Sequence, residues 1–561
     1  MKLSYHISTV NHFTPATKAF TEIRNMLKSL EYYRFCYGDR MDSQTLHKAL
    51  LQPQTYNTDQ TEITFKETHI SRIYFVGDRV YKIKKPVDFG FLDFTTLEKR
   101  YFFCKEEVRL NQRFSEGVYV GVVEIRDHDG RITIEGPGQT IEYAVMMKRL
   151  PEESMLPQLL AKNDPSLCDR MAVLAQHIAE RYQQLESYGP GADDPHLEVV
   201  KTNWQENFIQ TEPFIGKTIS QNTFDYLKRY VLDFEEQQAE LFRRREVQGW
   251  VRDGHGDLHC EHICFLDGAI AIYDCIEFNR RFRIADVLAD LAFLLMDLEL
   301  RGRQDLATVV RDNYLEVIGR TKDTELLLPF YQVYRAYVRG KVESFLSNDS
   351  NADEGNRMAA QGRAKRYFNQ ALGYLCRAPK LILISGLMGV GKTTIARQLA
   401  TSLGAELLRS DEMRKELADI DSQQRCNEAF QQGIYSPSAS RATYDQLLKH
   451  ALQFLKIGRT VIVDASFANR EDRARFRFTA EQIGQPTWTI AVTCDREVAL
   501  QRLDNRQSRG LDASDGRRAL YDQQARAFDP IGEEPHVLHV DGNVETSQIV
   551  AQVLCTLADQ A

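Results

Sequence analysis

The chain lacks the marks of an exported or membrane-spanning protein. Its opening residues, MKLSYHISTVNHF, contain no apolar stretch of the kind a signal peptide needs. Its longest apolar runs are about ten residues, where a bilayer-spanning helix takes roughly 20. The ten cysteines are scattered and form no C-x-x-C pair. Together these absences predict a cytoplasmic protein with reduced thiols. Long blocks of like charge and any basic stripe are missing too, and the net charge is −8. That argues against a nucleic-acid or membrane surface. Internal repeats and long low-complexity segments are also absent.

What is present is a chain of 561 residues with the composition of a globular protein. That length exceeds one ordinary core and points to several domains. Residues 1–55 carry some helical pattern, at 20–30 and 43–51, but no chemistry. Short alternating apolar runs follow at 72–75, 79–83, 118–125, 132–134 and 141–147. Gly77-Asp78 between the first two is a hairpin signal. Residues 154–246 are mostly helical in pattern. A second strand–turn–strand reads 263–265 and 269–273, joined by Leu266-Asp267-Gly268. Strongly apolar helical stretches occupy 285–300 and 326–346. The polar run SNDSNADEGNR at 347–357 is the best linker candidate, and 358–376 reads as a helix. The expected domains are therefore 56–346 and 379–561, joined by a linker and helix at 347–378.

Residues 386–393 read GLMGVGKT and match G-x-x-x-x-G-K-[ST] at every fixed position. The apolar run 380–385 before them reads as a buried parallel strand. The stretch 393–403 after them has helical spacing, with Ile395, Leu399 and Leu403 on one face. A strand feeding a glycine-rich turn into a helix N-terminus aims backbone N–H groups at a phosphate. Gly386, Gly389 and Gly391 let the backbone wrap close to the anion. Lys392 would reach the β- and γ-phosphates of ATP, Thr394 would lie in the same cradle, and the Thr393 hydroxyl would hold Mg²⁺. Further short strands at 406–408, 460–463, 487–493 and 536–540 alternate with helices. That predicts an α/β fold with about five parallel strands.

The neighbours of this motif refine it. Strand 460–463 ends in Asp464, which either helps to hold Mg²⁺ or simply caps a strand end. Asp411 and Arg414 in SDEMR lie three apart, so a helix start would put them on one face. There Asp411 could take the acceptor hydroxyl proton and Arg414 could grip an anionic group; the competing reading is an N-cap Asp with a solvated Arg. Arg502, Arg506 and Arg509 share a helical face where a lid would close, although such a stripe is usually solvated surface. Taken together, GLMGVGKT, SDEMR, VIVDASF and the R-L-D-N-R-x-x-R segment resemble the P-loop small-molecule and polynucleotide kinases. The likeness is to the gluconate-kinase, zeta-toxin and polynucleotide-kinase branches, which implies a five-stranded sheet with a mobile lid.

A second constellation lies upstream: HGDLHCEH at 255–262, followed by Ile-Tyr-Asp274. A general base beside a metal ligand, with a carboxylate across a hairpin, suits phosphoryl transfer from a Mg-nucleotide. Asp257 would orient or deprotonate the acceptor hydroxyl, Asp274 would bridge Mg²⁺, and His255 would brace the loop. Zinc is the alternative, because His255, His259, Cys260, His262 and Cys264 are all ligand types. Their spacing matches no ordinary finger, and strand alternation would turn Cys264 away from the others.

This stretch resembles the aminoglycoside and choline phosphotransferases, whose loop reads H-G-D-x-x-x-x-N. The resemblance implies an N-terminal α+β, protein-kinase-like, two-lobe fold over about 61–346. It makes Lys82 the lysine for the α- and β-phosphates and Glu107 its ion-pair partner, with Lys84 on the same strand face. EYAVMMKRL at 142–150 would be the hinge strand. His262 stands where that group places a metal-binding Asn, and THIS at 68–71 has no glycine for a nucleotide-covering turn. DFGFLDF, EEVRLNQRF, HGDLH and DCIEFNRRFRIADVLADLAFLLMDLE resemble a bacterial family that joins such a domain to a P-loop kinase domain. The resulting expectation is an ATP- and Mg²⁺-dependent phosphotransferase acting on a small hydroxylated substrate. Its rivals are a nucleotide-sensing regulator with a degenerate N-terminal domain, and a kinase of nucleic-acid 5′-hydroxyls.

Overall fold

The computed structural model describes residues 43–560 except 57, 60, 61, 91, 190–194, 351, 422, 423, 425, 427 and 510–515; side chains 507–509 are likewise left undescribed. The helix expected at 20–30 and the side chain of Arg509 thus lie outside the described residues. The chain divides into two compact units, one of residues up to Gln158 with His262–Phe282, the other of Leu159–Glu261 with Arg283–Ala561. The second unit holds both the helical region and the P-loop region.

The first unit is built on a six-stranded antiparallel sheet. Its strands are Ile63–Glu67, Ser71–Val76, Arg79–Lys84, Tyr119–His128, Arg131–Ile134 and Gln139–Lys148. Every expected strand of this region falls on one of them. Ile63–Glu67 was not foreseen because it is an exposed edge strand with no buried residue, so it has no apolar alternation to read. Gly77, at φ +57°, makes the turn that pairs Val76 with Arg79. Strand period decides the rest. Tyr81 and Ile83 join the core on one face with Tyr74 and Ile125, so Lys82 and Lys84 turn to the other. There they meet helix Leu97–Asn111, whose first turn is capped by Thr96 accepting the Lys99 N–H at 3.2 Å. The hairpin Ile263–Leu266 and Ala269–Ile272 packs into the same unit, with Cys264 and Ala271 against Tyr119 and Val145.

In the second unit, helices Leu167–Gln184, His196–Thr211, Gln221–Gln237 and Ala239–Val247 fill the region expected to be helical. A short antiparallel pair, Val251–Asp253 with Ile284–Asp286, follows. Helix Leu288–Leu300 is buried all round from Leu288 to Leu298, as its mostly apolar sequence demands, with Asp290 and Asp297 buried among the apolar residues. Helix Lys322–Ser347 begins with a capping box between Thr321 and Thr324 and carries Pro329 inside. The expected linker shrinks to a turn, because Asp353 caps a new helix, Glu354–Gly373, by accepting the Asn356 N–H at 2.9 Å. No described helix is long and apolar enough to cross a membrane.

The P-loop region holds a parallel sheet of five strands among the described residues, as the strand–helix alternation predicts. Its spatial order is Glu406–Arg409, Val461–Asp464, Leu381–Ser385, Thr487–Thr493, Val537–Asp541. The P-loop strand Leu381–Ser385 is central and wholly buried. The chain leaves it to one side and returns to the other, so the P-loop sits where the strand order reverses, at the carboxyl edge where α/β sheets bind ligands.

Candidate functional site

The glycine positions of the P-loop are required by geometry. Gly386 has φ +147°, and a Cβ there would lie 2.3 Å from the Val492 carbonyl oxygen. Gly389, at φ +82°, would meet the Ala499 carbonyl at 2.6 Å. The loop delivers the chain into helix Lys392–Leu403, and Gly391 at φ +104° stands at its N-cap.

Lys392 donates from Nζ to the Leu387 carbonyl at 2.8 Å. Burial pulls its pKa below the ordinary lysine range, against the opposing effect of Asp464 and Asp411. The Thr393 hydroxyl donates to Asp464 Oδ2 at 2.6 Å. Burial pushes the Asp464 carboxyl up, although Lys392 and the Thr393 hydrogen bond pull the other way. These two oxygen-bearing groups, in contact at the end of a buried strand, are a donor set that suits Mg²⁺. The half-buried Lys392 ammonium beside them suits an anion. Arg409, which the sequence reading overlooked, ends the neighbouring strand with Nε 3.5 Å from Asp464 and its guanidinium on Glu412. Its only signal was its place as the last residue of an apolar strand.

Across the site, Arg414 Nη1 lies 3.4 Å from Asp411 Oδ1, and the Arg414 guanidinium stacks over the Tyr435 ring at 4.6 Å. Arg414 is 8% exposed, so it is not the solvated residue of the competing reading. Gly389, Gly391, Lys392, Thr393, Thr394, Asp411, Arg414, Asp464, Arg502 and Arg506 all line one cavity of about 1030 Å³. Arg502 does not hang over it as a lid arginine would. It donates to the Val390 carbonyl at 3.3 Å and the Gly542 carbonyl at 2.9 Å, bracing the P-loop against the sheet edge. Arg506 donates to the Gly516 carbonyl at 2.9 Å. Gln524, also missed, accepts the Met388 N–H at 2.8 Å from helix Arg518–Arg526.

In the first unit, Lys82 and Lys84 share Glu107. Lys82 Nζ lies 2.8 Å from Glu107 Oε1 and 2.5 Å from Asp274 Oδ1. Lys84 Nζ lies 2.6 Å from Glu107 Oε2 and also contacts Glu277. Burial opposes the charge on Lys82, but Asp274 and Glu107 outweigh it and hold the ammonium well above its usual range. The same burial pushes the Glu277 carboxyl up in spite of Lys84. Asp274 adopts φ +65° and donates its N–H to the Tyr119 hydroxyl at 3.1 Å. His262 Nε2 is 3.6 Å from the other Asp274 oxygen. Glu142, at the start of the expected hinge segment, is spent on Arg100, whose Nε is 2.9 Å from both carboxylate oxygens.

In the second unit, the HGDLHC loop is held by groups the sequence reading did not single out. Asp290 accepts the His255 N–H at 2.9 Å and the Gly256 N–H at 3.0 Å, and Tyr182 donates to it at 2.5 Å. Arg335 closes the arrangement on Asp290 at 3.0 Å and on the Gly256 carbonyl at 2.7 Å. The His255 ring is buried, and its Nδ1 accepts the Asp257 N–H at 3.3 Å. His259 Nε2 lies 3.5 Å from Asp257, which raises the imidazole pKa against the effect of burial. Cys260 and Cys264 are buried thiols: burial pushes the Cys260 thiol well up, with Asp297 adding to the effect, and pushes Cys264 up to about 11.

Residues 381–531 match a family model described as an AAA domain. Among solved structures, a gluconokinase from Sinorhizobium meliloti 1021 is similar over 33% of this chain and 95% of its own, at 18% identity and a TM-score of 0.25. The APS kinase CysC of Mycobacterium tuberculosis, in complex with AMPPNP and APS, is similar over 32% and 98%, at 18% identity and a TM-score of 0.24. An uncharacterized protein of Mycobacterium tuberculosis is 30% identical over 449 residues, which is 79% of this chain and 87% of that protein. That alignment is far longer than the AAA domain, so it extends into the region before the P-loop, and the chain belongs to the same family as this mycobacterial protein.

Proposed function

We propose that the protein is an ATP-dependent phosphotransferase whose P-loop module moves the γ-phosphoryl group of ATP to a hydroxyl of a small molecule. One observation carries the reading: Lys392, Thr393 and Asp464 meet on one side of a single cavity, and the Asp411–Arg414 pair lines it as well. Lys392 and the P-loop amides hold the phosphates. Thr393 and Asp464 would hold Mg²⁺, which supplies charge neutralisation on the phosphoryl oxygens. The acceptor oxygen forms its bond to the γ-phosphorus as the bond to the β–γ bridging oxygen breaks. Its proton passes to the Asp411 carboxylate, and ADP leaves. Arg506 offsets charge on the transferring group, and Arg502 keeps the loop in shape.

The N-terminal region is proposed as a second nucleotide-handling module. The support is the buried Lys82–Glu107 ion pair in one unit and the braced Asp257 loop in the other. A second reading makes this module a sensor that binds nucleotide without transfer. It is favoured by Asp274, whose carboxylate is engaged by Lys82 and lies near His262 instead of a second oxygen ligand.

The test is direct. Lys392→Ala in the full chain is expected to remove the stabilisation by MgATP that depends on the P-loop and to lower ATP consumption at least about a hundredfold, the range seen when a phosphate-stabilising group is lost. Undiminished turnover and stabilisation would sink the assignment. Asp257→Asn in that background should remove any transfer that survives; survival of nucleotide binding without transfer selects the sensor reading.

A further inference from the structure

The cavity, at about 1030 Å³, is at the top of the range for small-molecule sites, roughly 300–1,000 Å³. Its lining contains a carboxylate to which no role has yet been given, Asp472, on helix Arg470–Glu481. Asp472 is half-buried and makes no hydrogen bond or ion pair with any described residue. The arginines near it are engaged elsewhere. Arg475 reaches Asp445 at 2.6 Å, and Arg441 lies 3.7 Å from Asp445 and 4.0 Å from Glu471. Nor is Asp472 the cap of its helix, because Asn469 does that by accepting the Glu471 N–H at 2.8 Å. Burial raises its carboxyl pKa even though Arg475 and Arg441 pull it down.

In the same cavity Arg414 is more than nine-tenths buried, and its Nε has no hydrogen-bond partner among the described residues. Its Asp411 contact is long, at 3.4 Å. A cationic side chain and a carboxylate with no partner among the described residues thus line one cavity, where a ligand carrying both an acceptor and a donor can engage the two.

We propose that the acceptor is a small hydroxylated anion, its carboxylate or phosphate held by Arg414, which also carries a hydrogen-bond-donating hydroxyl or ammonium group held by Asp472. Asp472 is thus a substrate-binding residue that selects for a donor group, and Arg414 selects for the anion. This rests on the phosphotransferase reading above and adds the substrate class to it. A neutral polyol would leave Arg414 with only its long Asp411 contact, and an anion without a second donor would leave Asp472 without a partner among the described residues.

The experiment measures ATP consumption by the full chain, carrying Asp257→Asn to silence the other module. The probes are glycerol, D-glycerate, glycerol phosphate and L-homoserine. At least one of the three charged probes is expected to stimulate turnover where glycerol does not. Which one does so separates carboxylate from phosphate and hydroxyl from ammonium. Asp472→Asn should then raise KM for that probe about tenfold or more, the loss expected for a hydrogen bond to a charged group, with kcat and melting temperature unchanged. Three results overturn the proposal: glycerol works as well as the anions, no probe stimulates, or Asp472→Asn leaves KM alone. A lower melting temperature with unchanged KM would identify Asp472 as a mere helix-terminus charge. Stabilisation by MgATP, present here and absent in Lys392→Ala, reports separately on the nucleotide reading.

Discussion

At the scale of single residues, buried charge decides how this protein behaves. Lys392 has its pKa lowered chiefly by burial, so it sheds its proton at a lower pH than an exposed lysine. A bound phosphate favours the charged form, so nucleotide affinity should fall as pH rises through the alkaline range, and binding there should take up a proton. Calorimetry in buffers of different ionisation enthalpy measures that uptake; an affinity flat with pH would contradict it. The sequence shows Lys82 and Lys84 on one strand face by period alone. It cannot show that both converge on Glu107, or that Glu277, nearly two hundred positions from Lys84, completes the cluster. Arg502 shows the opposite limit. Its helical spacing is legible, but its commitment to the Val390 and Gly542 carbonyls depends on where a distant turn comes to rest.

At the scale of elements, helix Glu354–Gly373 is the most consequential piece that composition disguised. Its N-terminal part reads as linker, because Asp353 and the small polar residues around it serve equally as turn and as cap. In the structure Lys365 pairs with Glu545 at 2.6 Å and Asn369 donates to the Ser547 carbonyl at 3.0 Å, beside the rim of the P-loop cavity. Tyr374, just past its end, donates to Glu299 at 2.6 Å, on the helix that also carries Asp290. Gly373 permits this packing, since a Cβ there would sit 1.8 Å from the Ser402 carbonyl oxygen. Gly373→Ala should therefore destabilise the protein by about 1–3 kcal/mol, the usual penalty of overpacking. Gly362, exposed on the same helix with nothing within 4 Å, is the control. Gly362→Ala should stabilise by about 1 kcal/mol through helix propensity. Urea unfolding midpoints of the two variants should move in opposite directions, and movement in the same direction would refute this account of the helix.

At the scale of the whole molecule, the proposed function gives the chain two sets of phosphate-handling residues. The proposal expects two nucleotides per chain, one lost in Lys392→Ala, the other in Lys82→Ala and both in the double variant; equilibrium dialysis counts them. A single nucleotide that Lys392→Ala abolishes would remove the second module from the proposal. Acid stability follows from His196. Burial lowers its pKa to about 4, and its Nε2 lies 3.0 Å from the Tyr331 hydroxyl. Between the ordinary histidine value of about 6.5 and about 4, the unfolded chain binds a proton that the folded one refuses. Stability therefore falls as pH drops through that window, by about 3 kcal/mol in all at roughly 1.4 kcal/mol per unit. His196→Gln should flatten that part of the profile in denaturant titrations at stepped pH, and an unchanged slope would count against it.

The sequence by itself determined the local devices. A wholly buried strand followed by three glycines, a lysine and a threonine leaves the backbone little choice but a phosphate loop, and apolar–polar periods of two and of three to four place most strands and helices. These signals are local because they arise from backbone sterics and from which face of one element must leave water. Only the tertiary structure decided which buried charges meet. It chose Asp274 as a second partner for Lys82, Glu107 and Glu277 for Lys84, Asp290 and Arg335 for the HGDLHC loop, and the P-loop carbonyl for Arg502. It also placed Asp472 in the cavity with Arg414. Such pairings join residues far apart in the chain, and a charge taken out of water accepts whichever partner the packing brings within reach.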